Sequence, residues 1–353
     1  MKKYADLIKL FAGIWIVWFL IKDFAVIRNE VISVLKLWSG TLIPSLFPYL
    51  VLSGFLTSSE ALAPVNKLLF PLRKLFKLSS GGMKIYVCSL FCGYPSGAVC
   101  TSELYKSGSI SANEAERLIC FTNNASPLFL ITAVGESILG SAGDGFAIYV
   151  IQIISASVIA FSLTFFSERK NTKHNFSNDG TTNGGKSFCD CCQSSVNAIL
   201  MIGGYAVIST VLATIVILTV KQFFPGNNDG ANGVIYGIFE ISSALFKLSK
   251  INSSDIFPIL CALVSWSGLS VILQIKSVLP KEIQTKKLIV SKICQATISF
   301  FLGTVYQKTQ MTSNFSFPTE HIIKASLIIS AILFGVLLSI RMQCLRKRSI
   351  PRL

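Results

Sequence analysis

The sequence predicts an all-α, polytopic membrane protein made of two structural repeats, inverted with respect to each other, each holding a broken or reentrant helical hairpin. Three observations predict it. Of the 353 residues, 52% are hydrophobic, and they fall in long runs divided by Lys- and Arg-bearing segments. Two of those runs are interrupted at their midpoints by Gly, Pro and Ser. The two interrupted runs resemble each other and occupy matching places in the two halves, which is the arrangement that marks a binding site in many transporters.

The first interrupted run lies between Lys84 and Lys106, with Gly93-Tyr94-Pro95-Ser96-Gly97 at its centre. Pro95 has no N–H, and the glycines loosen the backbone on either side. In hydrocarbon an amide freed from its helix costs several kcal/mol, so such a break persists only where protein or a watery cavity covers it. The second run, 256–276, carries Trp266-Ser267-Gly268. Laying Ser96-Gly97 on Ser267-Gly268 also places Glu103 on Gln274, Asn124 on Gln295 and Ser126 on Thr297. After each break comes a polar connector and a second broken or polar-studded helix, Phe121-Thr-Asn-Asn-Ala-Ser-Pro127 in one half and Ser291 to Ser299 in the other.

Two shapes satisfy each broken run. A helix from Ile85 to Tyr105 would extend about 31 Å and cross the hydrocarbon, whereas one folded at Tyr94-Pro95 would reach half way and return. Positive-inside counting leans towards crossing, with the C-terminal tail in the cytoplasm. The midpoint turns, and the amphipathic stretch before each run, favour hairpins. Hairpins leave three crossings per half beyond the first span, and an odd number inverts the halves.

The remaining elements follow in order. Residues 1–39 form an uncleaved first span (4–21) and a helical connector, since Lys22-Asp23 follows the apolar run and no small-residue cleavage site does. The first repeat, 40–167, opens with a run at 41–56 whose Pro44 and Pro48 predict a kinked or late-starting helix. Residues 62–78, too charged to span, are expected along the membrane surface. Ser111 with Glu114 makes a capping box, and 146–166 is a span. Residues 168–195 read as a polar, disordered linker. The second repeat, 196–341, has spans at 196–220, 287–305 and 322–340 and an amphipathic stretch at 234–248; residues 342–353 are a basic tail.

The net charge of +15 is spread over inter-span segments, where topology and anionic headgroups account for it, with no basic stripe that would take nucleic acid. Most of the ten cysteines lie inside apolar runs and read as small packing residues. His174 with Cys189, Cys191 and Cys192 matches no usual zinc spacing. With two histidines in the chain and no facing acid pair, no enzyme, metal site or cofactor is expected.

Cys92-Gly-Tyr-Pro-Ser-Gly-Ala98, Asn113-Glu-Ala-Glu-Arg117 and Phe121-Thr-Asn-Asn-Ala-Ser-Pro-Leu-Phe129 resemble the YlbJ family of sporulation integral membrane proteins, which reads Gly-Tyr-Pro-x-Gly-Ala-Lys, Glu-Ala-Glu-Arg and Thr-Asn-x-x-Ser/Gly-Pro. Here Val99 stands where the family often has Lys. The resemblance implies a channel or carrier for dipicolinic acid, alone or with calcium, across the outer forespore membrane of a spore-forming bacterium. It also implies a distant likeness to the nucleoside-recognition gate group and to concentrative nucleoside transporters. Two other readings stand beside it, a transporter of nucleoside-type solutes and a membrane scaffold for spore assembly.

A flat dicarboxylate fits half-helix N-termini opened by Pro95-Ser96-Gly97 and Ser267-Gly268. Tyr94 and Trp266 would stack on its ring. Asn123, Asn124, Ser126, Gln295 and Thr297 are neutral donors and acceptors for a carboxylate or water. Glu103, with Gln274 at its aligned position, either pairs with Arg117 at the surface or serves the site.

Overall fold

The structure, a computed structural model, describes residues 2–57, 69–165, 187–224, 229–248 and 256–312. All regular elements among them are helical. Helix α1 (Lys2–Lys22) is apolar almost throughout and ends at Asp23, where α2 (Phe24–Leu37) turns away by 93°. A five-residue π-turn, Trp38–Leu42, leads into α3 (Ile43–Thr57), which carries Pro48 inside it. The winding runs unbroken from Phe24 to Thr57, so the 41–56 run has no late start, and the π-turn precedes both of its prolines. Of the surface stretch, α4 (Phe70–Leu75) is helical, and residues 58–68 lie outside the described part.

The first broken run is a hairpin. Its arms are α5 (Ser80–Cys92) and α6 (Ser96–Lys106), and they fold back so that Gly81 at the start of one lies against Leu104 near the end of the other. A Cβ on Gly81 would stand 3.2 Å from Leu104 Cδ1, so glycine permits the arms to close at their base. Helix α9 (Ala142–Phe165) holds the hairpin through Tyr149, which donates to Leu90 O (2.8 Å), and through Ser157 Oγ, 3.2 Å from Tyr86 Oη.

Between hairpin and span run α7 (Ala112–Phe121), the unwound strand 122–126, and α8 (Phe129–Leu139), which is wound with π-type hydrogen bonds. Ser111 caps α7 by accepting from Glu114 N (3.2 Å), as its capping motif requires. Helices α8 and α9 approach so closely that a side chain on Gly145 would overlap Leu130 O.

The second broken run takes the other shape. Helices α13 (Ile256–Trp266) and α14 (Gly268–Val278) run on as one apolar span of 23 residues. The expected second hairpin is thus corrected, and with it the count of crossings that made the halves inverted. The reason lies in the turns. Three residues, one of them a proline, separate α5 from α6, whereas Ser267 alone separates α13 from α14, and its N–H still bonds Leu263 O at 2.9 Å in helical fashion. Left-handed φ values at Ser267 (71°) and Gly268 (82°) give a kink without a reversal.

A different segment of the second half makes a helix pair. The amphipathic stretch expected at 234–248 is the buried pair α11 (Asp229–Phe239) and α12 (Ile241–Leu248), broken at Glu240. Gly233 and Gly237 allow this, because Leu248 and Leu263 lie where their side chains would be. Helix α10 (Phe188–Phe223) starts from a Ser187–Asp190 capping box, so the end of the expected linker, 188–195, is helical. Residues 166–186, the 322–340 span and the basic tail lie outside the described residues.

Helices α9 (24 residues), α10 (36), α13–α14 (23) and the crossing part of α15 (Lys286–Thr312; 25 residues) are long and apolar enough to cross a membrane, with the bent α1–α2 pair as a fifth candidate. Their outward faces present residues such as Val158, Phe161, Leu200 and Phe301. Apolar side chains at that density on the outside of long helices imply contact with lipid. In a cysteine-free background, single cysteines at Lys84 and Lys106 should be labelled from the same membrane side, and at Ile256 and Lys281 from opposite sides.

Candidate functional site

The hairpin tip sits where breaks in the backbone meet. Gly93 (φ 71°) faces Ser126, Gly97 faces Thr122, and both partners belong to the unwound strand 122–126. A side chain on Gly97 would overlap the carbonyl oxygen of Thr122. Within the turn, Tyr94-Pro95 is a cis peptide, Ser96 Oγ donates to Gly93 O, and Ser96 N donates to the same oxygen at 3.1 Å. Asn123 completes α6 from outside: its Oδ1 accepts from Ala98 N at 2.9 Å, at a helix start where backbone donors lack intrahelical partners. That N–H is therefore engaged by protein.

Around the strand lies a buried polar network. Lys292, with no exposed surface, donates from Nζ to Asn123 O (2.5 Å) and to Gln295 Oε1 (3.1 Å). Gln295 Nε2 donates to Asn124 Oδ1 (2.9 Å), and Asn124 Nδ2 to Phe121 O (2.8 Å). Further along, Ser299 Oγ meets Ser155 Oγ (2.9 Å) and Ser265 Oγ (2.7 Å). The aligned pair Asn124 and Gln295 thus bond to each other. Lys292 forms no ion pair among the described residues, although Lys287, five residues earlier on α15, pairs with Glu116 at 3.0 Å.

On the same strand, Ala125 and Ser126 line a cleft with Tyr94, Glu240, Ser270 and Gln274. Tyr94 packs against both large apolar cores, one around α5 to α7 and one around α3, α8 and α13. The cleft has a volume of about 20 Å³, room for about one water. In this conformation the cleft is closed.

The expected site residues therefore divide. Tyr94, Ser126 and Gln274 meet in the cleft; Asn123, Asn124 and Gln295 meet in the network; Pro95, Ser96 and Gly97 build the turn that holds both. Gly268 packs against Phe239 and Glu240 at the α11–α12 break, and Ser267 is fully buried. Trp266 is turned to the backbone and donates to Ile238 O at 3.0 Å, apart from the cleft lining. Thr297 is exposed and bonds Ile293 O on its own helix, so the alignment with Ser126 does not carry it into the site. Glu103 is not paired with Arg117. That guanidinium donates to Phe76 O, Lys77 O and Thr164 Oγ1, clamping the start of the hairpin onto the end of α9. Beside it, burial raises the Glu114 carboxyl above its usual range, opposed by the Ser79 N–H it accepts (2.6 Å) and by Arg117.

Two residues that the sequence did not single out, Lys292 and Glu240, carry the charge of the site. Lys292, Gln295 and Ser299 recur at helical spacing on α15, a polar stripe that was a visible signal. Glu240 is the one acid between Asp229 and Asp255. Gly97→Val should lower the melting temperature in detergent by the equivalent of about 1–3 kcal/mol, the usual cost of overpacking. Asn124→Leu, which removes the nearer of the two acceptors of Gln295 Nε2 and the donor to Phe121 O, should cost a similar amount. Gly204→Val, whose Cβ meets nothing within 4 Å, is the control and should cost a few tenths.

No family model matches the chain, and no solved structure matches it. The sporulation integral membrane protein YlbJ of Bacillus subtilis (strain 168) is 25% identical to it over 296 residues, which cover 74% of this chain and 72% of that protein. With its several candidate membrane spans, the chain is a multi-pass integral membrane protein and a distant homologue of that sporulation protein.

Proposed function

We propose that the chain passes a small organic anion, dipicolinic acid, across the outer forespore membrane. The observation that carries this is Lys292: a fully buried amino group on a membrane span, held by a carbonyl and an amide oxygen, with no carboxylate beside it among the described residues. A buried charge without a counter-charge is costly, and within a membrane protein such groups mark the path of a solute or ion. Lysine near a span end usually reaches for water. Here it turns inward, to the strand that also forms the cleft.

A dicarboxylate would supply the missing charge. Withdrawal of the hairpin tip would widen the cleft and free Asn123 O from Lys292, letting a carboxylate take that place while Asn124, Ser126 and Gln295 bond its other oxygens. Tyr94 would lie along the ring. The likeness to a sporulation membrane protein supports the setting, and the motifs shared with its family support the substrate.

Uptake of labelled dipicolinate, with and without calcium, into proteoliposomes tests this. The wild-type chain should transport it, and Lys292→Met should reduce uptake at least tenfold, the effect of losing a charge-assisted contact of about 1.5–3 kcal/mol. Methionine leaves Asn123 O and Gln295 Oε1 without their donor, so uptake is compared per folded, reconstituted protein. No uptake by the wild type would favour a scaffold. Stronger binding competition by uridine than by dipicolinate would favour a nucleoside-type solute.

A further inference from the structure

Glu240 holds a second unbalanced charge. It is 3% exposed, at the break between α11 and α12, and its carboxylate accepts from Ser242 N (3.0 Å) and Ser243 N (2.6 Å). Those contacts close the first turn of α12, a task that serine or asparagine performs without burying a charge. No Lys, Arg or His among the described residues forms an ion pair with it. Lys247, one helix end away, pairs with Glu30 at 2.8 Å.

Across the same cleft stands Gln274, 2% exposed. Its Nε2 donates to Ser270 Oγ (3.1 Å), while its Oε1 has no hydrogen-bond partner. A carboxylate and an unpartnered carbonyl oxygen therefore share one narrow, closed space. Both are acceptors. What such a space lacks is a proton donor, and a buried carboxyl is itself the group that desolvation inclines to take one up.

We propose that Glu240 is a proton-binding site and that its proton crosses with the anion. The second half of this rests on the anion-transport reading; the first half does not. The only bond made and broken is Glu240 O–H: the proton comes from water on one side of the membrane and returns to water on the other. A dianion crossing alone would move two negative charges through the membrane potential, at about 2.3 kcal/mol per charge per 100 mV, and an accompanying proton halves that net charge. The titratable group sharing the cleft with Glu240 is Tyr94 from the hairpin tip; Tyr236, one turn earlier on α11, instead turns its hydroxyl to Thr214 Oγ1 (2.8 Å) and its ring to Lys247. Side chains lining the cleft from α3, α8, α10 and α14, such as Leu46, Phe129, Ile202 and Gln274, are neutral.

Infrared difference spectra of the full chain in lipid, taken between about pH 5 and pH 9, test the site without reference to transport. A protonated-carboxyl stretch should disappear as pH rises, be absent in Glu240→Gln, and persist in Glu114→Gln. Its persistence in Glu240→Gln, or its loss on adding Na⁺ at constant acid pH, would overturn the proposal. With the membrane potential clamped, an inward proton gradient of about one unit should raise wild-type dipicolinate accumulation about tenfold for one coupled proton. Whatever dipicolinate uptake Glu240→Gln retains should be indifferent to the gradient. Should Glu240→Gln fail to fold, the wild-type spectrum and gradient response decide alone, a pH-independent spectrum being the negative result. A wild type that transports nothing but shows the Glu240 band would sink the anion reading and leave the proton site standing.

Discussion

Unwound backbone at membrane depth must be covered by protein, and in this chain one break covers another. The tip of the α5–α6 hairpin lies on the strand 122–126, with Gly93 against Ser126 and Gly97 against Thr122. The kink at Ser267-Gly268 lies on the α11–α12 junction at Phe239 and Glu240. Each contact has a glycine in it, because backbone approaches backbone too closely for a Cβ. Amides that would cost several kcal/mol in hydrocarbon thereby acquire neighbours, and some acquire side-chain partners, as Ala98 N does from Asn123. Remove the mutual cover and neither member of a pair is tolerable at that depth.

That arrangement explains why the polar residues are where they are. Asn123, Asn124 and Gln295 each use one end of an amide on the local backbone or network and the other on a facing helix, so the strand is fixed from several sides without a formal charge. Lys292 is the exception. Its partners are neutral, and the network tolerates it only because a carbonyl and an amide oxygen point at its ammonium. Such a group is held by neutral partners alone, and the proposed exchange would give it an anion in their place.

Much of this was legible in the sequence, and the part that was not has a physical cause. Gly, Pro and Asn at 93–97 and 122–127 announced breaks, because no helix in lipid gives up its hydrogen bonds without such residues. The shape of the second broken run could not be read the same way: Ser267-Gly268 permits a kink or a turn, and what decides is one helical hydrogen bond from Ser267 that tertiary packing preserves. Thr297 followed from an alignment offset that holds for Asn124 and Gln295 but fails two residues later, since 122–126 is unwound and α15 is a continuous helix at 100° per residue. Lys292 lies five residues inside the expected start of a span, where lysines ordinarily reach the surface. Glu240 stood in an amphipathic stretch whose buried state depends on Gly233 and Gly237 admitting Leu248 and Leu263, a packing fact with no signature in periodicity.

The clamp around Arg117 has a mechanical consequence. Its guanidinium ties Phe76 and Lys77 to Thr164, Lys77 Nζ also reaches Thr164 O at 3.2 Å, and Glu114 holds Ser79, so the base of the hairpin is riveted to the end of α9. The far end rests on the strand 122–126 through close glycine contacts, the Asn123 Oδ1 bond to Ala98 N and a tyrosine wedged between two cores. A rod clamped by a guanidinium at one end and held by these neutral contacts at the other behaves as a lever. A rotation of about 10° at the base of an arm of about 18 Å sweeps the tip by roughly 3 Å, comparable to the diameter of a water molecule, so a small tilt at the riveted end suffices to begin unsealing the cleft.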